Sequence, residues 1–227
     1  QSRIDLLLRN SGYFEFTKRY IEFLVEYAPG SEDLWITTVI NKPADRDFHK
    51  QFTIDSLVVN TNGGQPVVAE EQFEGVDYRF ANFFYSPKVL DTRLKIEPKQ
   101  QYRYSDVLNT QRQLLNMDMF RFVNINFDTT IVQGEFIANI YTSPVQRFQL
   151  TQELGVNVTE GTLGPFYNLS LRNRNTFSGA EILQFNGFVG SDGVSAATDQ
   201  SGALSNLQYG SSVSLTFPRF VMPFDSR

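Results

Sequence analysis

The chain has 227 residues, 41% hydrophobic and 14% aromatic, with 21 Phe against one Trp. That is apolar surface enough for one large or two modest domains, and it excludes a disordered chain. A formal charge of -5 leaves no basic stripe for nucleic acid, and the absence of Cys excludes a disulfide framework, a zinc finger and thiol catalysis.

No run of about 18 apolar residues is present for a transmembrane helix, and no secretory leader opens the chain, so Gln1 reads as a processed or truncated start. Ser2, Ile4, Leu7 and Leu8 have the spacing of a short amphipathic helix with Ser2 as N-cap, closed at Ser11-Gly12. Strands are expected from Ile21 to Tyr27 and from Leu34 to Ile40, joined by a turn at Pro29-Gly30-Ser31 and ended by Asn41-Lys42-Pro43. A strand from Phe52 to Val59 stops at Asn60-Thr61-Asn62-Gly63-Gly64, and residues 60–85 carry little periodicity and read as a long insertion. Ser86-Pro87 opens a short helical segment through Val89, Leu90 and Leu94. Ser105-Asp106 caps a clearer helix, with Val107, Gln111, Leu114 and Leu115 near one face. Leu114 and Leu115 are expected to pack on a sheet that includes Ile54, Val58, Phe122 and Ile140. Strands from Arg121 to Asp128 and from Glu135 to Tyr141 follow, closed by Ser143-Pro144.

Residues 52–144 thus read as strand, helix, helix, strand, strand. The opening residues repeat the second half of that order: Leu8 to Phe16 lies over Leu114 to Phe122, with Phe14 on Phe120 and Phe16 on Phe122, and Pro43 answers Pro144. Two like modules in tandem follow from this, the first cut off at its front.

After Pro144 the pattern becomes strict alternation. Phe148, Leu150, Leu154, Val156 and Val158 share one parity with a lone Gln152, while Arg147, Gln149, Thr151, Glu153, Gly155, Asn157 and Thr159 hold the other. A strand of roughly 12 residues exceeds the usual 5 to 6 and suits the roughly 9 to 11 that a tilted bilayer-crossing strand needs, and apolar-out, polar-in alternation is the pattern of transmembrane barrels. Further strands are expected from Phe166 to Asn173, Glu181 to Val189 and Tyr209 to Phe217. Tyr167, Leu169 and Leu171 share a face of the second, Phe188 breaks the parity of the third, and Val213, Leu215 and Phe217 alternate in the fourth. Ser191 to Leu207 reads as a mobile loop.

The order of residues 52–144 resembles a POTRA (polypeptide-transport-associated) module of the BamA and TamA outer-membrane assembly family. The segment LSLRNRNTFSGAE (Leu169 to Glu181) is similar to a turn between barrel strands of TamA-like proteins of Bacteroidota, and SLTFPRFVMPF (Ser214 to Phe224) to the end of a barrel strand there. The resemblance implies α+β POTRA modules (β-α-α-β-β) followed by the first antiparallel strands of a transmembrane β-barrel. Residues 1–44 would be the C-terminal part of one module, 45–145 a complete one and 146–227 the first four strands of the barrel. An open sheet edge in lipid leaves backbone groups unpaired at several kcal/mol each, so the chain is expected to be a fragment of a longer protein.

The function so implied is assembly or translocation of unfolded, β-rich outer-membrane clients, held by strand addition. The location implied is the cell outer membrane, with the POTRA modules in the periplasm. Outer-membrane lipid and periplasmic or lipoprotein accessory subunits are the other implied partners. The client-binding edge strand carries over to Arg121, Phe122, Val123, Asn124, Ile125, Asn126, Phe127 and Asp128. The barrel seam carries over to Phe148, Leu150, Thr151, Gln152, Leu154, Gly155, Val156 and Val158, where Gly155 and Gln152 are expected to weaken pairing. A soluble cell-envelope module that recognises a glycan or a protein is the alternative; the two differ in whether Phe148, Leu150, Leu154, Val156 and Val158 face lipid or a closed core.

No enzyme, cofactor or metal is expected. His49 is the one histidine, in a charged loop, so a triad or multi-histidine site cannot be assembled. Glu70, Glu71, Glu74 and Asp77 lack the spacing of a calcium loop. Arg172 and Arg174 read as solvated turn residues, with lipid phosphate or Glu181 as the other partners weighed.

Overall fold

Val76, Tyr78 and Phe80 alternate with Asp77 and Arg79, and this short run belongs to the stretch where the chain departs from its expected order. The computed structural model describes residues 1–27, 34–81, 84–132, 135–159, 162–192 and 206–218. Within residues 60–85 it places two strands, β4 (Ala69–Phe73) and β5 (Val76–Phe80), after β3 (Thr53–Asn60). Phe73 pairs with Val76 across a two-residue turn in which both Glu74 (φ 48) and Gly75 (φ 78) are left-handed. Such a turn matches the twist of the strands it joins, and glycine takes one of its positions at no steric cost. The core side of β5 is fully enclosed, with Val76, Tyr78 and Phe80 buried.

This overturns the β-α-α-β-β module expected for residues 52–144. After β5 come α2 (Pro87–Asp91), α3 (Tyr104–Leu115), β6 (Phe120–Val132) and β7 (Glu135–Pro144), so the order is β-β-β-α-α-β-β in a chain that is mostly strand. The sheet has five strands in the order β4-β5-β3-β7-β6. β3 pairs in parallel with both β5 and β7. A strand flanked in parallel on both sides is covered on both faces, and Leu57, Val58 and Val59 are accordingly all buried, as are Ala138 and Ile140 on β7.

The chain divides into two units, Gln1–Phe83 with Leu90–Ser143, and Phe84–Val89 with Pro144–Arg227. In the first, α1 (Ser2–Asn10) is followed by a 3₁₀ turn at Lys18–Tyr20 and by the antiparallel pair β1 (Ile21–Tyr27) and β2 (Leu34–Ile40). The turn expected at Pro29-Gly30-Ser31 lies outside the described residues. Neither Ser2 nor Ser105 caps a helix: Gln1 and Arg103 stand at the cap positions of α1 and α3 without a side-chain bond. The Ser105 N–H is instead taken by the Asn10 side-chain oxygen at 2.8 Å. Leu114, Ile54, Val58 and Ile140 are buried as expected, whereas Leu115 and Phe122 are exposed. The aligned phenylalanines of the repeat differ in setting, since Phe16 is 2% and Phe122 57% exposed.

The second unit is an antiparallel sheet of β8 (Phe148–Thr159), β9 (Thr162–Arg174), β10 (Ile182–Asp192) and β11 (Asn206–Thr216), in the order β11-β10-β9-β8. It is open, and no sheet among the described residues closes. β9 runs beyond its expected range at both ends, β10 at its C-terminal end and β11 at its N-terminal end, whereas β8 and β10 begin, and β11 ends, just inside theirs. Most of the loop expected at Ser191 to Leu207, and the segment after Pro218, lie outside the described residues.

Candidate functional site

Two strand edges and one two-faced sheet carry the features that a function can use. Among the described residues the sheet order leaves β6 with a neighbour on one side only, and all of Arg121, Phe122, Val123, Asn124, Ile125, Asn126, Phe127 and Asp128 lie on it. Val123 is buried and Phe127 packs inward against Phe136 with ring centroids 4.6 Å apart. Phe122, Asn126 and Asp128 are exposed, and the Asn124 amide donates to Asn126 Oδ1 at 3.2 Å.

Two side chains occupy backbone groups near the ends of this segment. Gln111 of α3 donates its Nε2 to the Val123 carbonyl at 2.8 Å. Asp128 Oδ1 accepts from both the Thr130 N–H at 3.0 Å and the Thr130 hydroxyl at 2.6 Å. These bonds hold the Asp128 carboxyl below its ordinary pKa, the Thr130 hydroxyl first and its N–H second. Gln111 was read from the sequence only as a helix-face residue; its polarity on the sheet-facing side of α3 was the available signal.

In the second unit the register decides which side chains share a face. Paired residues on antiparallel strands point the same way, so the rows across β8, β9, β10 and β11 can be read directly. One face carries the rows Leu150, Leu171, Phe185, Val213 and Leu154, Tyr167, Val189, Tyr209, flanked by Phe148 and Leu215 at one end and Val158 and Leu163 at the other. No layer of the protein covers it among the described residues: Leu154 is 81%, Val213 69% and Tyr209 81% exposed.

The opposite face is polar. Arg172 donates to Gln184 Oε1 from Nε at 3.2 Å and from Nη2 at 3.0 Å, Gln184 donates to Asn186 Oδ1 at 2.9 Å, and Asn186 donates to Ser212 Oγ at 3.2 Å. A hydrogen-bonded ladder thus crosses three strands. Phe188, the parity exception, lies on this face against Gly190, where a Cβ would come within 2.9 Å of its ring.

β8 is the second edge, and Phe148, Leu150, Thr151, Gln152, Leu154, Gly155, Val156 and Val158 lie along it. The structure corrects the expected effect of two of them. Gly155 pairs with Phe166, and the ring of Phe166 lies where a Gly155 Cβ would stand. Gln152 Oε1 accepts from the Tyr167 hydroxyl at 3.2 Å, and Glu153 Oε2 accepts from Asn168 Nδ2 at 2.9 Å. Gln152 and Gly155 are therefore held by β9. The missed partners are Phe166, Tyr167 and Asn168; an aromatic directly opposite a glycine on the neighbouring strand was the signal, and register is what a lone sequence does not supply.

The turn between β9 and β10 is fastened by its own side chains. Asn175, Ser178 and Ala180 all have positive φ. Glu181 Oε2 accepts from the N–H groups of Phe177 (3.2 Å) and Gly179 (3.0 Å), and Asn175 Oδ1 accepts from the Ala180 N–H at 3.0 Å. The preceding segment joins it, with Asn175 Nδ2 donating to the Phe84 carbonyl and Ser86 N–H to the Ser178 carbonyl. Arg174 is buried and donates to the Gln146 carbonyl, so it is not the solvated turn residue expected. His49 bonds through Nε2 to the Asn41 carbonyl between the rings of Phe16 and Tyr20. Glu70 pairs with Arg79 at 3.3 Å.

The class that this geometry defines is a mostly-β protein with an α/β sheet and a separate, open, two-faced antiparallel sheet. Among solved structures, the chain is similar to BamA from Haemophilus ducreyi lacking POTRA domains 1-3, at 13% identity and a TM-score of 0.46, over 94% of this chain and 40% of that one. It is also similar to CdiB from Acinetobacter baumannii, at 12% identity and a TM-score of 0.47, over 93% of this chain and 32% of that one. The chain therefore spans well under half the length of either. No family model matches the sequence, and no curated protein matches it.

Proposed function

We propose that the chain is part of an outer-membrane β-barrel factor that assembles or secretes other β-rich proteins, and that the second unit contributes staves to the barrel wall. The observation that carries this is the apolar face of β8 to β11: long strands keep large apolar side chains in register on one side and a hydrogen-bonded polar ladder on the other. Water penalises such an uncovered face and hydrocarbon does not. A soluble glycan- or protein-binding module needs a second layer over the same side chains. The proposed location is the cell outer membrane, with the first unit on the periplasmic side, where accessory subunits would meet it.

Clients would be unfolded outer-membrane or secreted chains, received by backbone pairing at the edges of β6 (Arg121 to Asp128) and β8. Backbone pairing needs little side-chain specificity, which suits a factor serving many clients.

These 227 residues have no Cys, so single cysteines can be introduced among them without removing a native thiol. In outer membranes, Leu154→Cys and Val213→Cys should react with a lipid-phase probe and resist a water-phase one, and Ser170→Cys and Ser212→Cys should do the reverse. Equal reaction of all four with the water-phase probe removes the barrel reading. Photocrosslinkers at Asn124 and Asn126 should capture an unfolded outer-membrane client, and a lack of adducts there takes β6 out of the client path.

A further inference from the structure

We propose that three successive residues of β9, Phe166, Tyr167 and Asn168, form a clasp that keeps the edge strand β8 in its sheet, so that opening and client pairing take place on the outer side of β8 and not between β8 and β9. The inference rests on the reading of β8 as a strand that pairs with clients.

An edge strand of a single-layer sheet has few means of attachment. Most side chains of β8 are exposed on both faces, from Phe148 to Val158, so packing against another layer contributes nothing. The backbone ladder and the cross-strand side-chain pairs remain. Those pairs are concentrated in one place. The Phe166 ring leans onto Gly155, the Asn168 amide holds Glu153 on the same face, and the Tyr167 hydroxyl holds Gln152 on the other. Three consecutive residues thus grip Gln152, Glu153 and Gly155 from both faces.

The ring-on-glycine contact is also directional. Phe166 stands between Gly155 of β8 and Gly190 of β10. A Cβ at Gly155 would overlap Cζ and Cε1, the far end of the ring, whereas at Gly190 the nearest ring is that of Phe188, at 2.9 Å, and Phe166 comes near with its Cβ, at 3.2 Å. The ring is spent on β8. Aromatic cover of an edge glycine is a recognised way to pin register, and a pinned register presents the outer groups of β8 to an incoming strand in one fixed frame. Phe166 is accordingly a positioning residue for client pairing, acting through Gly155.

The test is hydrogen exchange of β8 in the full-length protein in lipid, read beside crosslinking of a client strand to Val158→Cys. Phe166→Ala should raise exchange at residues 152–157 by about tenfold, the loss of one aromatic contact, with residues 183–189 of β10 unchanged. The transposed pair Gly155→Phe with Phe166→Gly should restore protection and crosslinking together, which a general loss of packing would not do. Tyr167→Phe, which removes only the hydroxyl bond to Gln152, carries the test if Phe166→Ala fails to accumulate, and should raise exchange at residues 151–153. Unchanged exchange in these variants, or no rescue by a folded transposed pair, overturns the clasp. A native protein that shows the clasp's protection but gives no client crosslink at β8 leaves the clasp standing and removes the client role.

Discussion

Leu114 and Leu115 are neighbours on α3 with opposite surroundings, and truncating each in turn measures how α3 is seated. Leu114 is 0% and Leu115 39% exposed. Replacing Leu114 with Ala removes three buried carbons at about 0.8 kcal/mol each, about 2.4 kcal/mol in all. The void they leave brings the total to about 2 to 5 kcal/mol. The same change at Leu115 forfeits roughly 60% of the transfer term and leaves an open dent, about 1 to 1.5 kcal/mol. Hydrogen exchange at β3 and β7 amides of the full-length protein reads both values. Tenfold corresponds to about 1.4 kcal/mol, so Leu114→Ala should speed exchange by roughly 30-fold to several thousandfold, and Leu115→Ala by about tenfold. Equal effects, or an effect under about threefold at Leu114, would refute the seating of α3 by this residue.

Tyr85 is pushed up to about 12, by burial first, with Arg147 pulling the other way. A phenol ionising near 10 when unfolded and near 12 when folded contributes stability below pH 10 that is lost as pH rises through 12; Tyr85→Phe should flatten that part of the stability profile, and an unaltered profile would show Tyr85 to be exposed. At the β9–β10 turn, Glu181→Ala strips the acceptor from two N–H groups and should cost about 1 to 3 kcal/mol, detected as faster exchange at Phe177 and Gly179; unchanged rates would mean that water replaces the carboxylate without loss.

How much of this was legible in the sequence differs between the two units. In the second unit the parity of Phe148, Leu150, Leu154, Val156 and Val158, and of Val213 and Leu215, survives into one shared face, because alternation is a local property and the register needs only adjacent hairpins. The exceptions were not legible. Phe188 and Gly155 break the pattern in sequence and are explained by rings meeting glycines, Phe188 on Gly190 within β10 and Phe166 on Gly155 across β8 and β9. In the first unit, Val76, Tyr78 and Phe80 did alternate, but five-residue strands beside Glu70, Glu71 and Glu74 gave a signal too short to outweigh the acidic run. The helix caps failed for a related reason: a serine near a helix start is a local cue, and the Ser105 N–H is claimed by Asn10, 95 residues away.

The aromatic cluster of the first unit sets a condition on the order in which the chain can mature. Phe14 meets Phe52, Tyr102, Phe127 and Phe136 edge-on, with centroids 5.7, 5.2, 5.2 and 5.4 Å away. Its partners lie far along the chain, and the last of them sits on β7. A chain delivered from its N-terminus therefore cannot complete this core until residue 136 has emerged. Until then Phe14 lacks its last partner, and contacts of such long span also slow the closure itself. The core of the first unit is therefore completed only when β7 is delivered, whatever the order in which its other elements form.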